Sequence, residues 1–472
     1  MTATRTEPRS TEVTYDVGAT GSGGVWLGLG APRVALLGIG LLASILALTA
    51  GSPILLAAVP ILLSGGLATA RCGGRPLLDW AAPLGARTAV TASGAVRWRA
   101  PIPTLTGDRT ADGPIQVRLP TEFGRLRIDT CPDDPAIGIL TDTSTRTVTV
   151  VFDVCGVDRF PLLDAAEQDT LIAGWGDALA VLADTDHTLA RLQLIERAHP
   201  GSRADRPLDD LEDATASWDR EIAALATSHE SRLAAQWSFA RLDATALSTV
   251  VSRCHLLART LLAARLLTRP LGTGDLGTEL LTTLSGQQHH QGRNGVRVGP
   301  VSRRTDWTHV TSDDQVHRSY AISSWPTAPV GAAWLAPMLL AAPAGVTRTV
   351  ALHLERMAPA AAARVARTRR AKAVLDQSDR ARLGMTSSAA LAGAEASGVA
   401  MDAELAAGYR THRLAGVVTL TGDTIDALDA AAPALQQAAA VCRLELRPLH
   451  GQHEVGLAAT LPLCRLRHRT QG

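Results

Sequence analysis

The residues with the most recognisable chemistry lie near the C-terminus, in the stretch HGQHE at 450–454. His450, His453 and Glu454 are of the types that bind zinc. Their order is HxxHE, whereas zinc proteases carry HExxH on a helix, and Gly451 disfavours a helix here. The sequence therefore predicts a turn that leads into a last strand, and it predicts no metal site.

Two further pairs of candidate residues have simpler interpretations. His289 and His290 lie in the polar stretch QQHHQ, where we expect them to face solvent. Cys254 and His255 are neighbours in a predicted helix, and we expect a packed thiol beside a surface imidazole rather than a nucleophile and its base. The chain contains no GxSxG sequence, the motif that carries the nucleophilic serine of α/β-hydrolases.

The lysine content excludes a conventional nucleotide motor. A Walker A loop, GxxxxGK[ST], needs a lysine that reaches the terminal phosphates. Lys372 is the only lysine of the chain, and it lies in RTRRAKAVLD, with no glycine before it. We therefore expect a protein that is not an enzyme and has no cofactor. A membrane-anchored enzyme of unknown substrate is the alternative of another class.

An uncharged, strongly apolar stretch covers residues 34–70. It is too long for one crossing of a bilayer core about 30 Å thick, and Gly51-Ser52-Pro53 interrupts it. The sequence predicts two membrane-spanning helices, 34–50 and 54–70. Arg33 flanks the first, and Arg71 and Arg75 follow the second. Because positive residues favour the cytoplasm, we expect a multi-pass protein of the cell membrane, with its N-terminus and soluble region cytoplasmic.

The overall composition agrees with a cytoplasmic location for the soluble part. The 472 residues carry 46 basic and 45 acidic side chains, a net charge of +1. This balance gives no indication of direct nucleic-acid binding. The six cysteines are far apart and form no CxxC, which is typical of reduced thiols.

Strand and helix patterns alternate along the soluble part in two blocks. Strands are predicted at 145–154, 188–197, 235–243, 317–325, 349–356, 413–422, 442–447 and 455–463. Helices are predicted at 164–184, 208–228, 244–268 and, in a long Ala/Arg-rich region, from 359 to about 410. The predicted class is α+β: a transmembrane helical hairpin followed by two α/β sandwich-like (β-α-β) units, with the long helical region as an insertion.

The corresponding division of the chain has five parts. They are a tail at 1–33, the transmembrane hairpin at 34–70, a first cytoplasmic unit at 76–270, a loop-like linker at 271–312 and a second cytoplasmic unit at 313–472.

The long helical region carries a cluster of positive charge. Arg364, Arg367 and Arg370 recur every three residues and so share one helix face. Such a face could dock an acidic partner, anionic lipid or nucleic acid. A solvated face, balanced in part by Asp376 and Asp379, is the simpler interpretation.

Several segments, in their order, resemble a known family. They are GLGAPR, the hairpin, GGRPLLDW, RTVTVVFDV, WGDALAVLA, RLQLIER, RSYAISSWP, RTVALHLERM, the long Ala/Arg helix and EVGLAATLPL. Together they look like the motorless membrane proteins of actinobacterial conjugative and integrative elements. Those proteins are similar to a type IV secretion hairpin subunit fused to the N-terminal half of the secretion ATPase.

The resemblance implies a non-enzymatic scaffold of a conjugative, type IV-like DNA or protein transfer apparatus. It further implies contacts with a separate ATPase and other channel subunits at the cytoplasmic face, in a homo- or hetero-oligomer. A membrane subunit of an actinobacterial type VII secretion system is the alternative, since such a subunit also has an N-terminal hairpin and a soluble cytoplasmic domain.

Overall fold

The structure is a computed structural model. It describes residues 31–72, 75–92, 94, 96–100, 115–117, 119–120, 123–156, 160–200, 227–286, 299–326, 328–340, 345–382, 399, 403 and 412–466. The predicted tail at 1–30, most of the predicted helix at 208–228 and the His289–His290 pair lie outside these residues.

Ten α-helices lie within the described residues. They are α1 Ala31–Thr49, α2 Ile54–Thr69, α3 Ala81–Ala92, α4 Ala165–Thr185, α5 Ala244–Ala263, α6 Thr273–Ser285, α7 Ala336–Leu340, α8 Pro359–Arg382, α9 Ile425–Val441 and α10 His453–Thr460. Short 3-10 helices cover Leu77–Trp80 and Phe160–Leu162.

Sixteen strands accompany them in the described residues. They are β1 Arg71–Cys72, β2 Arg75–Pro76, β3 Arg97–Arg99, β4 Ile115–Gln116, β5 Leu126–Cys131, β6 Asp134–Asp142, β7 Thr147–Cys155, β8 Leu189–Pro200, β9 Thr227–Ser238, β10 Leu267–Pro270, β11 Ser302–Thr305, β12 Val310–Ser312, β13 Gln315–Ser324, β14 Thr347–Arg356, β15 His412–Gly422 and β16 Glu445–Pro448.

The helices α1 and α2 form a hairpin that is packed through small residues. Gly40 of α1 faces Ser64 of α2, and a side chain at Gly40 would collide with Ser64 and the Pro60 carbonyl. The N–H of Ile61, next to Pro60, donates to the Ser44 hydroxyl at 3.2 Å. Small residues let two helix backbones approach closely, which is the packing mode of membrane helices.

The outer surface of the hairpin is made of large apolar side chains. Those exposed include Ile39, Leu41, Leu42, Ile45, Leu46, Leu48, Ile54, Leu55, Leu56, Leu62, Leu63 and Leu67. By length and composition Pro32–Thr49 can cross a membrane, whereas α2, with 16 residues, is shorter than a standard span. The structure thus has one candidate membrane-spanning helix among the described residues.

Fourteen of the strands form one sheet. Its order is β3-β11-β12-β13-β15-β14-β8-β9-β7-β6-β5-β4, with β10 beside β7 and β16 beside β13. The predicted α+β class is confirmed at this level. β1 and β2 pair separately.

Within the sheet, one strand order occurs twice. The elements β7-α4-β8-β9-α5-β10 give the spatial order β10-β7-β9-β8, and β13-α7-β14-β15-α9-β16 give β16-β13-β15-β14. All of these pairs are antiparallel, so each series is a split β-α-β arrangement. The two series join where β14 pairs with β8. The sequence-based division into two units stays a prediction, because both lie in one sheet.

Strand alternation gives the sheet two different faces. On one face Val150, Phe152 and Leu233 pack against α4 and α5, and Val350 and Val418 pack against α7 and α9. The opposite face is rich in polar residues and is covered by α6 and by residues 449–466, here named the C-terminal segment.

Side chains of the polar face hold the backbone of the C-terminal segment. Gln193 donates to the carbonyls of Ala459 and Leu461 at 2.9 and 2.8 Å and accepts from the Cys464 N–H at 2.7 Å. His353 Nε2 contacts the Ala459 carbonyl at 2.8 Å. These bonds offset the cost of burying polar groups on this face.

Charge pairs attach α6 to the same face. The buried Arg197 of β8 contacts Glu279 of α6 at 2.8 Å and Glu230 of β9 at 3.0 Å. Removing one partner of such a buried pair would leave an uncompensated charge, which is strongly destabilising.

Two sequence-based predictions are wrong in this region. Part of the predicted linker at 271–312 is the helix α6, whose Leu276, Leu280 and Leu284 are buried at helical spacing; its glycines suggested a loop. The predicted last strand at 455–463 is largely the helix α10, which is buried on nearly all sides and therefore shows no clear amphipathic period.

Three buried histidines make stability depend on pH. Burial lowers the pKa of His317 to about 4 and the pKa values of His353 and His453 to about 3. Below pH 6.5 the unfolded chain therefore takes up protons that the folded chain does not. Each histidine should cost about 2 kcal/mol of stability at pH 5 relative to pH 7.

We predict that the unfolding temperature falls between pH 7 and pH 5, and that His353→Gln, which keeps a donor for Ala459, reduces this fall. The exposed His255 provides the control. His255→Gln should leave the fall in unfolding temperature unchanged. Equal pH profiles for the wild type and both variants would show that His353 does not contribute to the pH dependence.

We also predict that Gly40→Leu separates the hairpin helices, because its side chain has no room against Ser64. Gly38 has no atom within 4 Å of an added Cβ, so Gly38→Leu is the matched control. Oxidative cross-linking of cysteines placed at Ser44 and Ile61 in the detergent-solubilised protein measures the pairing. Cross-linking that resists Gly40→Leu would contradict this packing.

Candidate functional site at the hairpin–sheet junction

The two ends of the hairpin meet where the sheet begins. Arg33, at the start of α1, lies 3.5 Å from Asp79, which follows α2 in the chain. The Leu77 N–H donates to the Ala70 carbonyl at 2.9 Å and closes the short β1–β2 loop. Arg33 and Arg71 therefore lie at the same end of the hairpin. Arg75 is in β2, and its side chain is outside the described part of the chain.

Three stacked rings connect this end of the hairpin to the sheet. Trp80 lies 6.0 Å from Trp307 and 5.8 Å from His450, and Trp307 lies 5.9 Å from His450, all with interplanar angles of 20° or less. Trp80 also donates from Nε1 to the Cys72 carbonyl at 3.1 Å. Ring pairs at such separations each contribute roughly 0.5–1.5 kcal/mol beyond their buried area.

Gly451 is the residue that lets these rings meet. Its φ of +67° is unfavourable for a residue with a side chain. An added Cβ would lie 2.8 Å from Trp307 and 3.5 Å from the Pro83 carbonyl. The Gly451 N–H donates to the Trp307 carbonyl at 2.8 Å. The glycine in HGQHE thus allows a close approach of two chain segments.

A second attachment lies farther along α3. Arg87 donates to the Thr305 carbonyl at 2.8 Å, and the Thr305 N–H donates to the Val96 carbonyl at 2.9 Å. The strand β3 then pairs with β11 at the sheet edge. The described part of the connection from α2 to β3 is therefore attached to the β11–β12 region at several points.

The HGQHE residues have structural roles here. His453 accepts the Ser319 N–H at Nδ1, 3.1 Å away, and its lowered pKa keeps it neutral at pH 7. Glu454 is buried in α10. Among the described residues no group of three or more His, Cys, Asp or Glu side chains could hold a metal ion. As expected, Cys254 is buried mid-helix and His255 is exposed.

The predicted basic face is on the outward side of α8. Ala362 and Ala366 are buried beneath the helix, while Arg364, Arg367 and Arg370 are exposed. Arg367 donates from Nε to the Ala363 carbonyl of its own helix. The three arginines are exposed along α8, which is separate in sequence from the junction.

Cavities in the described part of the chain also lie away from the junction, among them the following two. One, of about 250 Å³, is lined by Arg191, Gln236, Arg465 and neighbouring residues. Its arginines are engaged, Arg191 with Glu355 and Arg465 with Asp142. The other, of about 280 Å³, is an apolar groove lined by Phe160, Leu171, Ile172, Trp175 and Leu266. Cys464 lines the first cavity, but burial raises the pKa of its thiol to about 12, and the Asp142 carboxylate is engaged by Arg465.

Sequence reasoning missed most of the junction. Trp80, Trp307 and His450 lie in three distant parts of the chain, and their stacking depends on the tertiary fold. The available signal was the pair of tryptophans, since aromatic residues are only 3% of the chain.

Comparison with protein-family models finds no match, and comparison with curated proteins finds none of significant similarity.

We predict that Gly451→Ala loosens the junction, because the methyl group would displace Trp307. The expected loss of stability is about 1–3 kcal/mol, with faster tryptic cleavage at the arginines between 71 and 99. Gly94 has a similar φ of +68° but no atom within 4 Å of an added Cβ, so Gly94→Ala controls for backbone strain. Equal cleavage rates in the two variants would show that the contact with Trp307 is unimportant.

Proposed function

We propose that the chain is a non-enzymatic, membrane-anchored scaffold of a multi-protein export apparatus. The 14-stranded sheet and the helices that pack on it, here named the sheet domain, would lie at the cytoplasmic face. The observation that carries this proposal is the hairpin, which has small residues inside and large apolar residues outside. Such a surface suits lipid or other membrane helices, and a water-exposed apolar surface of this size is unusual in a soluble protein.

The position of Arg33 supports two crossings rather than one. Because Arg33 lies beside Asp79, α2 returns to the end from which α1 departs. If α1 crosses the bilayer, α2 must cross back, although its 16 residues span only about 24 Å. Local thinning of the bilayer accommodates such a short helix at modest cost. The flanking arginines then favour a cytoplasmic location for both ends.

The engaged state of the cavity arginines and the lack of a Walker A sequence support a scaffold rather than an enzyme. A scaffold acts through surfaces, and the exposed Arg364, Arg367 and Arg370 provide one of suitable charge for an acidic region of a partner. In the type IV-like apparatus that the resemblance implies, this partner would be the separate ATPase.

A second candidate is a membrane subunit of a type VII secretion system. The continuous sheet favours it, because both split β-α-β series and β3 belong to one body. A hairpin subunit fused to half of an ATPase would more simply give separate sheets. A single soluble domain behind a hairpin is what the type VII alternative expects.

The test is affinity purification of the tagged full-length protein from gently solubilised membranes, with mass spectrometry of the co-purifying proteins. A conjugative-type ATPase with small hairpin proteins would support the type IV-like scaffold, and type VII core subunits would support the second candidate. Recovery of the protein alone would contradict the scaffold and favour a membrane-anchored enzyme.

We predict that replacing Arg364, Arg367 and Arg370 together with Glu lowers recovery of the ATPase at least tenfold, because the surface charge is reversed. The matched control replaces the same three residues with Lys and keeps the charge. Equal recovery of the ATPase with both triple variants would show that α8 does not contribute to the docking surface.

A further inference from the structure

The edge strand β3 presents two arginines with no internal role. Arg97 and Arg99 are two residues apart, so they lie on the same side of the strand. Both side chains are exposed, and neither forms a side-chain hydrogen bond or ion pair with another described residue. Arg304 of β11 lies directly opposite Arg97 and is 58% exposed. Like charges placed side by side are destabilising, so their clustering requires an explanation.

The same edge is attached to the base of the hairpin. Arg304 lies three residues before Trp307, which stacks on Trp80, and Trp80 is close to the end of α2. Arg87 and Val96 attach the connection to Thr305, next to Arg304. Arg71, also exposed, follows α2 directly. The basic edge is therefore continuous with the proposed membrane anchor.

Within the described part of the chain, the acidic residues close to this end already have partners. Asp79 is paired with Arg33, and Asp306 is paired with Arg304 and lies 3.5 Å from His309. Asp313 receives the N–H groups of Val301 and Ser302 at 2.8–3.1 Å. These carboxylates are engaged, so among the residues that the structure describes here Arg71, Arg97 and Arg99 are left as excess positive charge.

We propose that Arg71, Arg97 and Arg99, here named the basic edge, bind the phosphate headgroups of anionic lipids in the membrane leaflet that faces the sheet. This inference rests on the proposed membrane anchoring. Guanidinium groups match phosphate oxygens in geometry, and arginines close to an anionic leaflet are attracted to it. Lipid contact would hold the sheet domain at a defined orientation, which a docking scaffold requires.

The test uses the full-length protein in nanodiscs made of equal parts phosphatidylcholine and phosphatidylglycerol. After release into mild detergent, native mass spectrometry measures the ratio of the two lipids that remain bound. We expect enrichment of phosphatidylglycerol on the wild-type protein. Arg97→Gln with Arg99→Gln should lower this enrichment by about fivefold for each arginine removed.

Two controls separate lipid binding from other effects. Arg97→Lys with Arg99→Lys keeps the charge and should keep most of the enrichment. Arg259 and Arg443 are exposed arginines elsewhere, and their replacement by Gln should change nothing. Equal enrichment of phosphatidylglycerol in the wild type and in the Arg97→Gln, Arg99→Gln variant would contradict lipid binding by the basic edge. Failure of the wild-type protein to enter nanodiscs would instead refute the membrane anchor.

Discussion

The packing of small residues between α1 and α2 is the contact on which the membrane assignment depends. Gly40, Ser44 and Ser64 allow the helices to touch, and this close approach leaves the leucine and isoleucine side chains on the outside. In water that arrangement would expose apolar surface at a large cost, whereas in a bilayer it costs little. Because the hairpin returns to its starting end, the N-terminal end of α1 and the start of the sheet lie at the same end of the hairpin.

The polar face of the sheet binds the elements that cover it. Gln193, His353 and Ser319 bind the C-terminal segment, and Arg197 binds α6. The apolar face is covered by helices of both split β-α-β series. Since β8 and β14 join the two series, force applied at the junction can be carried across one continuous sheet. Such a body suits a scaffold better than two domains on a linker.

Local patterns allowed much of this fold to be predicted. The alternation in TVALHLER predicted the strand β14 and its two faces. The apolar run at 34–70 predicted a helical hairpin with a turn at Gly51. The same patterns failed for α6 and α10. α6 contains glycines that suggested a loop, and α10 is buried on all sides, so neither periodicity nor composition distinguished it from a strand.

The junction was harder to predict for a different reason. Arg33 and Arg71 could be identified from sequence because positive residues commonly flank membrane helices. Trp80, Trp307 and Gly451 are far apart in sequence and come together only in the tertiary structure. The histidines of HGQHE suggested metal binding by type, whereas in the fold one stacks on tryptophans and the other caps a backbone N–H. Residue type alone does not distinguish these uses.

The most direct test of a hairpin that anchors a cytoplasmic domain is its topology in intact cells. Cys155 is exposed on the sheet domain, and Ser52 lies in the turn between α1 and α2. In a variant whose other cysteines are replaced, a membrane-impermeant maleimide should label Ser52→Cys from outside and Cys155 only after lysis. Labelling of Cys155 in intact cells, or protection of Ser52→Cys until lysis, would contradict the proposed orientation.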